Sequence, residues 1–300
     1  MAGLTSLAAN LCLALSHTGS RIVPLSLASA FAMPIGELVG AAWSSKMETA
    51  KRNYAHILGL PIDHPKVAAT ARDCFRHFGR YTAETIAVQG WGTDTVLDLL
   101  EVVGGENFAE AESHGRSVIF VSGHMGATET AAAMAVVRGY KITTVVEEMR
   151  PQWLFEYLTT SRQRMGITIM PARRSGVSLL RTLRRGGMAA FVIDAGIDRG
   201  GAVTVDFFGR QTLFPDGPAR LARLSGAPLV FGTCVRLPGG RYRAYVFPPV
   251  IANRDAEAGE DARRVTQELA RTFEGMVRRY PSQWYAFREM WPFESLRMSG

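Results

Sequence analysis

The stretch Ser117-Val-Ile-Phe-Val-Ser-Gly-His-Met-Gly-Ala-Thr-Glu129 decides how this chain folds. It begins with a strongly apolar run that ends at Val121, which is typical of a buried strand. A turn of small residues follows, and an alanine-rich segment with helical character then continues to Val137. A buried strand that ends in a turn and feeds a helix is the unit in which an α/β fold places its chemistry.

The pattern on the carboxyl-terminal side of this stretch alternates between strands and helices. We predict strands at Ser117–Val121, Ile142–Val146, Ile167–Met170, Ala189–Ile193, Val203–Phe208, Leu229–Arg236 and Tyr242–Phe247. The helices are predicted at Ala127–Val137, Pro151–Met165, Val177–Arg185, Gly217–Ser225 and Ala258–Arg279. Residues 1–112 read as mostly helical, and no strong strand signal precedes Ser117. The sequence therefore predicts an α/β fold whose sheet is preceded by a helical region.

The composition is that of ordinary globular protein, with 47% hydrophobic and 20% charged residues in a chain of 300. This length allows one large domain or two small ones. The net charge of +7 comes almost wholly from arginine. Such a charge suits anionic membranes, phosphorylated lipids, phosphopantetheine carriers or nucleic acid, and composition does not choose among them. The three cysteines are odd in number and far apart, so we expect reduced, buried thiols at Cys12, Cys74 and Cys234.

The amino terminus holds an uncharged segment, Ile22 to Gly36, which contains Pro24 and Pro34 and ends before Glu37. It is shorter than the roughly 20 apolar residues that a spanning helix needs. The first 20 residues contain no Lys or Arg, so the basic region of a signal peptide is missing. Three interpretations stay open: a buried helical hairpin, an apolar element in one leaflet of a membrane, and a transmembrane span.

His124 and Glu129 are the strongest candidates for chemistry in the turn after the first strand. His124 can act as a base near neutral pH. Glu129 can accept the proton of the other ring nitrogen and so fix the tautomer, or it can simply be a favourable acid in the first turn of a helix. A base with an orienting acid and no nucleophile beside it suits deprotonation of a substrate hydroxyl. Backbone amides of the turn after His124 are expected to stabilise the oxyanion that forms.

Further polar residues fall at strand ends or on helix faces of the same predicted sheet. The carboxyl ends of strands meet at one edge of an open α/β sheet, so these residues can converge on one crevice with His124. Each also has an ordinary structural interpretation, as a solvated acid, a solvated basic face or a loop cap. The sequence shows no metal-ligand spacing and no phosphate-binding glycine loop. It also lacks the G-x-S-x-G elbow, because Ser122 is followed by Gly-His. The candidates are Glu147, Glu148, Arg162, Arg164, Arg173, Arg174, Asp194 and Asp198.

At these residues the chain resembles a known family. His124-Met-Gly-Ala-Thr-Glu129 matches the H-x4-D/E motif of glycerolipid and glycolipid acyltransferases. Several flanking blocks resemble the bacterial lipid A biosynthesis acyltransferases, and the similarity covers roughly residues 45–293. The blocks are Arg52-Asn-Tyr-Ala-His-Ile-Leu-Gly-Leu-Pro61, Phe75-Arg-His-Phe-Gly-Arg-Tyr81, Val205-Asp-Phe-Phe-Gly209, Gly217-Pro-Ala-Arg220, Ser225-Gly-Ala-Pro228 and Pro281-Ser-Gln-Trp284.

Within the family, Val145-Val-Glu147, Leu154-Phe155 and Arg162 look most like the phosphatidylinositol mannoside acyltransferases. The loop Asp194-Ala-Gly-Ile-Asp198 departs from that branch, and Arg288 resembles the lipid A branch. We expect three catalytic and four substrate-binding residues. The resemblance implies roles for His124, Glu129, Glu147, Arg162 and Asp198, whereas Arg164 and Asp194 are chosen from their places late in a helix and at a strand end. The catalytic set is His124, Glu129 and Asp198, and the substrate-binding set is Glu147, Arg162, Arg164 and Asp194.

The resemblance also implies a mixed central sheet flanked by helices and an enzyme that needs no cofactor or metal. A fatty acyl thioester, acyl-CoA or acyl-ACP, would donate its chain to a hydroxyl of a membrane glycolipid, either a phosphatidylinositol mannoside or lipid A. We expect residues 1–45 to form a membrane-associating segment and residues 46–300 the acyltransferase domain. The expected location is the cytoplasmic face of the inner membrane, on an anionic lipid surface and without nucleic acid.

Two other functions remain open at this stage. A non-catalytic protein that binds anionic lipid would explain the basic charge and the apolar amino terminus, although it leaves the pairing of His124 with Glu129 unexplained. A hydrolase that uses Ser122 as nucleophile is the second, and it would form a covalent acyl-enzyme.

Overall fold

The computed structural model describes residues 25–88, 93–115, 117–146, 152–171, 175–195 and 201–291. Helices and strands alternate over most of this range. The helices are α1 Leu25–Ala42, α2 Ser44–Leu58, α3 Pro65–Ala87, α4 Thr93–Leu99, α5 Glu106–Ser113, α6 Thr128–Val137, α7 Gln152–Arg164, α8 Ser175–Arg184, α9 Gly217–Ser225 and α10 Ala258–Arg279. The strands are β1 Leu100–Val103, β2 Val118–Ser122, β3 Ile142–Val146, β4 Thr168–Pro171, β5 Met188–Val192, β6 Ala202–Phe207, β7 Arg210–Pro215, β8 Leu229–Arg236 and β9 Tyr242–Val246.

Seven of the described strands form one mixed sheet in the order β1-β9-β8-β2-β5-β3-β4. All neighbours run parallel except β8 and β9, which form an antiparallel hairpin. The strand β2 lies at the centre between β5 and β8, and Ser122 is in register with Val192. Because β2 and β5 are parallel neighbours that end at the same edge of the sheet, the residues that follow Ser122 lie next to those that follow Val192. The predicted α/β fold with a mixed central sheet and a helical amino-terminal region is confirmed.

A separate two-stranded hairpin, β6–β7, packs against α10. The side-chain amide of Gln267 on α10 bonds the backbone of Asp206 on β6 in both directions. Phe207 stacks on Phe273 of α10 with ring centres 5.5 Å apart. This aromatic core continues to Trp284, whose ring meets Phe273 edge-on. Burial of such large rings accounts for much of the favourable free energy of folding.

The helices α1 and α3 cross at very short range because glycines meet at the contact. A Cβ on Gly79 would lie 2.2 Å from the carbonyl oxygen of Ala32, and a Cβ on Gly36 would lie 2.2 Å from that of Phe75. Any larger residue at either position would push the two helices apart. The opposite side of α1 exposes a row of large apolar side chains, namely Leu27, Phe31, Ile35, Leu38 and Val39.

By length and composition, none of the described helices passes alone as a membrane span, and one bent pair does. That pair consists of residues 27–42 and 44–58, with a bend of 97° between them. The expected boundary at residue 45 falls at the start of α2. The division into a membrane-associating segment and an acyltransferase domain stays a prediction.

The structure corrects the sequence analysis at two strands. Leu100–Val103 was expected to be helical and is strand β1, which pairs with β9 at the edge of the sheet. Its four residues follow α4 without a break, so pairing with β9 rather than local pattern determines its conformation. The second is β7, Arg210–Pro215, which pairs with the expected strand at Val203–Phe208. Cys74 and Cys234 are buried free thiols, and Cys12 lies outside the described residues.

Candidate active site

His124 lies in the turn that leaves the central strand β2 at its carboxyl end. The turn is compact because Gly126 adopts a positive φ of 67° and its Cα approaches β8 closely. A Cβ on Gly126 would lie 1.9 Å from the carbonyl oxygen of Cys234. Only glycine fits this conformation and this distance together. Gly126 therefore brings the turn that carries His124 onto the end of the sheet.

The imidazole of His124 is held by Asp194, which follows β5. Nδ1 of His124 lies 2.9 Å from Oδ1 of Asp194, and the backbone N–H of His124 donates to the same oxygen at 2.9 Å. The other oxygen, Oδ2, accepts the indole N–H of Trp284 at 3.0 Å. The Asp194 side chain is buried whereas that of His124 is 51% exposed. The ring is therefore fixed at one nitrogen and open to a reactant at the other.

The proximity of Asp194 changes the proton affinity of the ring. Removal of the ring from water lowers the pKa of His124, but the charge of Asp194 and its hydrogen bond outweigh this and raise the pKa above the ordinary 6.5. Burial alone would raise the pKa of Asp194. The contact with His124 and the hydrogen bond from Trp284 outweigh this effect, so the pKa of Asp194 lies below its ordinary 3.8. Asp194 is therefore ionised near neutral pH, and His124 is a stronger base than a free imidazole.

Glu129 lies on the first turn of α6 and contacts Arg162 and Tyr81. The guanidinium of Arg162 donates from Nε and Nη2 to Oε1 of Glu129, at 3.0 and 2.5 Å, and Tyr81 donates its hydroxyl to the same oxygen at 3.2 Å. We expected Glu129 to hold the imidazole, and Asp194 takes that place instead. Asp194, expected among the substrate-binding residues, contacts the catalytic candidate itself.

The backbone amides of the turn do not form the expected oxyanion site. The four N–H groups from His124 to Ala127 all donate to atoms of the protein. Each amide that is already bonded in this way cannot also point at a substrate oxygen without breaking its bond. The acceptors, in chain order, are Asp194 Oδ1 and the carbonyl oxygens of Gly123, Gln283 and Cys234.

The remaining candidates divide between exposed, buried and undescribed positions. Arg164 is exposed on α7. Ser122 is buried, and its hydroxyl donates to the carbonyl oxygen of Gly123 at 3.3 Å, so it is not engaged by His124. Five candidates lie outside the described residues: Glu147, Glu148, Arg173, Arg174 and Asp198.

Comparison with known proteins places this chain in a family. The model of bacterial lipid A biosynthesis acyltransferases matches residues 9–292. The chain belongs to that family. It is thus an acyltransferase, and its resemblance to this family is confirmed.

Three curated relatives have similar sequences. The phosphatidylinositol mannoside acyltransferase of Mycobacterium tuberculosis (strain CDC 1551 / Oshkosh) is 27% identical over 253 residues, which cover 81% of this chain and 77% of the relative. That of Mycolicibacterium smegmatis is 27% identical over 84% of this chain and 81% of its own length. The lipid A biosynthesis acyltransferase of Haemophilus influenzae is 26% identical over 66% of this chain and 59% of its own length. Both kinds of relative are named as acyltransferases, one of phosphatidylinositol mannoside and one of lipid A biosynthesis.

In this acyltransferase the segment Gln283–Tyr285 supports the turn that carries His124. Gly126 donates its N–H to the carbonyl oxygen of Gln283 at 2.8 Å, and the N–H of Tyr285 donates to the carbonyl oxygen of His124 at 2.8 Å. The Tyr285 hydroxyl donates to the carbonyl oxygen of Gly126 at 2.6 Å. The segment therefore pairs with the turn through a short antiparallel ladder in which Met125 lies opposite Trp284.

Behind this ladder, a buried ion pair ties the acyltransferase core to α3. Arg236 on β8 contacts Glu84 on α3 at 2.6 Å, and both side chains are almost fully buried. Tyr242 and Arg80 donate to the other oxygen of Glu84 at 2.8 and 2.7 Å. Nη1 of Arg236 also donates to the Tyr285 hydroxyl at 2.8 Å. Such a buried network of charged and polar groups favours one arrangement of the groups around the turn.

The sequence analysis did not select two residues of this site, Trp284 and Tyr81. Both lie in blocks that carry the family resemblance, and this placement was the available signal. A tryptophan and a tyrosine within aromatic-rich segments look like core residues, since nothing in local sequence indicates that their N–H and O–H groups reach acids far along the chain. The contacts with Asp194 and Glu129 depend on tertiary packing alone.

Proposed function

We propose that this acyltransferase moves a fatty acyl chain from a thioester, acyl-CoA or acyl-ACP, to a hydroxyl of a membrane glycolipid. A phosphatidylinositol mannoside is the proposed acceptor, because the two mycobacterial relatives carry that name, and lipid A is the alternative. The observation that carries the proposal is the half-exposed imidazole of His124, bonded at Nδ1 to the buried carboxylate of Asp194.

The reaction proceeds by direct attack in a ternary complex. Nε2 of His124 takes the proton of the acceptor hydroxyl while the oxygen attacks the thioester carbonyl carbon. A C–O bond forms, the C–S bond then breaks, and the departing thiolate takes the proton back from His124. No covalent acyl-enzyme is needed. The bonding of Ser122 to a backbone carbonyl supports this route over a serine hydrolase.

Asp194 stabilises the charge that develops on the base. As His124 accepts a proton the ring becomes cationic, and the nearby carboxylate is already ionised. This interaction is stronger in the transition state than in the ground state, so it accelerates the chemical step. A second carboxylate, Asp198, is proposed from the family resemblance to act on the same charge.

The arginines of the site are proposed to engage anionic parts of the substrates. Arg162 is one quarter exposed even though its fork binds Glu129. Because Glu129 already fixes the guanidinium, Arg162 would lose little conformational freedom when it binds a phosphate or a polarised carbonyl. Glu147 is proposed to contact the acceptor on the family resemblance, and Arg164 on its place late in the same helix as Arg162. An apolar path for the acyl chain would contribute about 0.8 kcal/mol per buried methylene.

The outer face of α1 is proposed to attach the enzyme to the membrane. Leu27, Phe31 and Ile35 project on one side at helical spacing. Trp43 follows at the end of the helix, half exposed, with the Lys46 ammonium 5.9 Å from its ring centre. Tryptophan and lysine are the usual anchors at a membrane–water boundary. We propose attachment in one leaflet at the cytoplasmic face, where anionic lipid also attracts the net charge of +7.

A reconstituted transfer assay tests this function. The full chain is incubated with palmitoyl-CoA or palmitoyl-ACP and vesicles that contain a phosphatidylinositol mannoside or a lipid A precursor, and products are identified by mass spectrometry. We expect an added acyl chain on one acceptor, with His124→Ala as the inactive control. Acyl transfer to neither acceptor from either donor, by protein shown to be folded, would contradict the proposal. A non-catalytic lipid-binding protein would bind the vesicles and give this result.

A further inference from the structure

The carboxylate of Asp194 has two oxygens with different partners. Oδ1 receives the ring and the backbone of His124, whereas Oδ2, among the described residues, receives the indole N–H of Trp284 at 3.0 Å. We propose that Trp284 is a positioning residue, whose indole N–H fixes the Asp194 carboxylate so that Oδ1 faces His124. The contact lies in the core, since Trp284 is 1% exposed and Asp194 6%. The inference rests on the proposed function only for the claim that His124 is the base.

An aspartate in this place needs a donor on its far side to keep one orientation. The terminal torsion of aspartate is broad and roughly two-fold, so packing alone selects its plane poorly. A buried carboxylate oxygen without a donor is also costly, and the side chain would turn to find one. With Trp284 bonded to Oδ2, rotation of Asp194 breaks a charge-assisted hydrogen bond on each side.

Trp284 is itself held firmly enough to serve this purpose. Its ring meets Tyr54 and Phe273 edge-on, with centres 6.2 Å apart in each case. Its carbonyl oxygen accepts the Tyr54 hydroxyl at 2.5 Å and the Cys74 thiol at 3.3 Å. The indole therefore has little freedom to follow a carboxylate that moves. Because the indole is rigid, its hydrogen bond can hold the Asp194 carboxylate in one orientation.

The orientation matters because the other charges near His124 oppose its protonation. Arg162 and Arg288 both act to lower the pKa of the ring, and Asp194 is the acid that counters them. If the carboxylate turns away, the imidazolium is left beside two guanidinium groups. Loss of the indole N–H should therefore weaken the base and slow the chemical step, while binding of the acyl donor stays unchanged.

A pair of matched variants tests the proposal. Trp284→Phe removes the indole N–H, and Trp291→Phe is the control. Both tryptophans are buried and their rings pack near Phe207, with centres 6.0 and 5.9 Å away. Among the described residues, however, the indole nitrogen of Trp291 has no hydrogen-bond partner. The readout is the pKa of His124 from carbon NMR of the labelled imidazole, assigned by its loss in His124→Gln.

We expect the pKa of His124 in Trp284→Phe to fall part of the way toward its value in Asp194→Asn. In Trp291→Phe it should equal that of the unmodified protein. The kcat should fall about tenfold in Trp284→Phe, as for one lost hydrogen bond to a charged group, with KM for the acyl donor unchanged. An equal or higher pKa of His124 in Trp284→Phe would overturn the inference. A lower pKa with unchanged kcat would support the positioning role and reject His124 as the base.

A second measurement does not depend on the folding of Trp284→Phe. In the unmodified protein the indole N–H resonance of Trp284 should shift with pH and report the same pKa as the His124 ring, because both groups share one carboxylate. The resonance is assigned by elimination among the five tryptophans. In Asp194→Asn the shift should disappear. An indole resonance that does not respond to the titration of His124 would overturn the proposal by itself.

Discussion

Asp194 binds His124 twice through a single oxygen, since Oδ1 lies 2.9 Å from both the ring Nδ1 and the backbone nitrogen. The two residues are 70 positions apart in the chain. They meet because β2 and β5 are neighbours in register and both end at the same edge of the sheet. One carboxylate thus fixes both the backbone of the turn that carries His124 and the orientation of the ring, and its removal should affect both.

The first prediction concerns the base. His124→Ala should lower acyl transfer by roughly the 10²–10⁴-fold typical of a lost general base. The fold should be preserved, since the side chain is half exposed. The measurement is kcat/KM of the purified variant in the vesicle assay, with circular dichroism to verify folding. Near-normal turnover would remove His124 from the mechanism.

A matched variant separates direct transfer from a serine mechanism. Ser122→Ala removes a hydroxyl that donates only to the Gly123 carbonyl oxygen. We expect it to retain transfer within a few-fold of the unmodified enzyme. Loss of activity in Ser122→Ala together with a trapped acyl-enzyme would instead support the hydrolase interpretation.

The second prediction concerns pH. The base must be neutral to accept a proton, so activity falls as pH drops through the pKa of His124. Asp194 stabilises the protonated ring and raises this pKa above 6.5. In Asp194→Asn the acidic limb of the kcat/KM profile should therefore move to lower pH, and the plateau should fall as well because the ring is less well oriented.

Asp198→Asn provides the comparison for this profile. If Asp194 is the main partner of the imidazole, Asp198→Asn should lower the plateau and move the limb less than Asp194→Asn does. A larger displacement of the limb in Asp198→Asn would assign the supporting role to Asp198. An acidic limb that stays in place in both variants would show that the titrating group is not His124.

The fold could be predicted from sequence more completely than the site. Runs such as Leu229–Arg236 and Ala258–Arg279 carry their structure in local pattern, and both have the expected bounds. His124 was recognisable because a strand, a turn and glycines surround it. Its partner was not, because Glu129 is close in sequence while Asp194 is close only after the sheet has assembled. The direction of the Glu129 side chain on the first turn of α6 decides which acid binds His124. That side chain points to Arg162 and Tyr81.

The third prediction concerns membrane attachment. Phe31 is 67% exposed on the outer face of α1, among Leu27, Ile35 and Leu38. Phe31→Asp should weaken cofractionation with anionic vesicles. It places a negative charge in the apolar face that would enter the lipid, and this charge also repels anionic headgroups. Val177→Asp is the control, because Val177 is 72% exposed on α8, a helix that is not part of the proposed surface.

High salt should release part of the unmodified protein from the vesicles, because charge contributes to attachment and is screened. The apolar face of α1 should retain the rest. If Phe31→Asp and Val177→Asp bind vesicles equally well, α1 is not the attachment surface. Complete release of the unmodified protein by salt would also exclude an apolar contribution.

The last prediction concerns the contact between Arg162 and Glu129. Arg162→Lys keeps the charge but loses the planar fork that binds Oε1 of Glu129 from two nitrogens. We expect transfer to drop about tenfold or more, while Arg271→Lys, at an exposed position on α10, should behave as the unmodified enzyme. Glu129→Gln should also destabilise the fold, since it removes the negative charge that pairs with the partly buried guanidinium of Arg162. The loss of unfolding free energy should be below the roughly 3–5 kcal/mol of fully buried pairs, because Arg162 is one quarter exposed. Denaturant unfolding measures this loss, and the assay is then run where each variant is folded. Equal activity of Arg162→Lys and Arg271→Lys would show that the fork serves stability alone, and the proposed contact of Arg162 with substrate would be wrong.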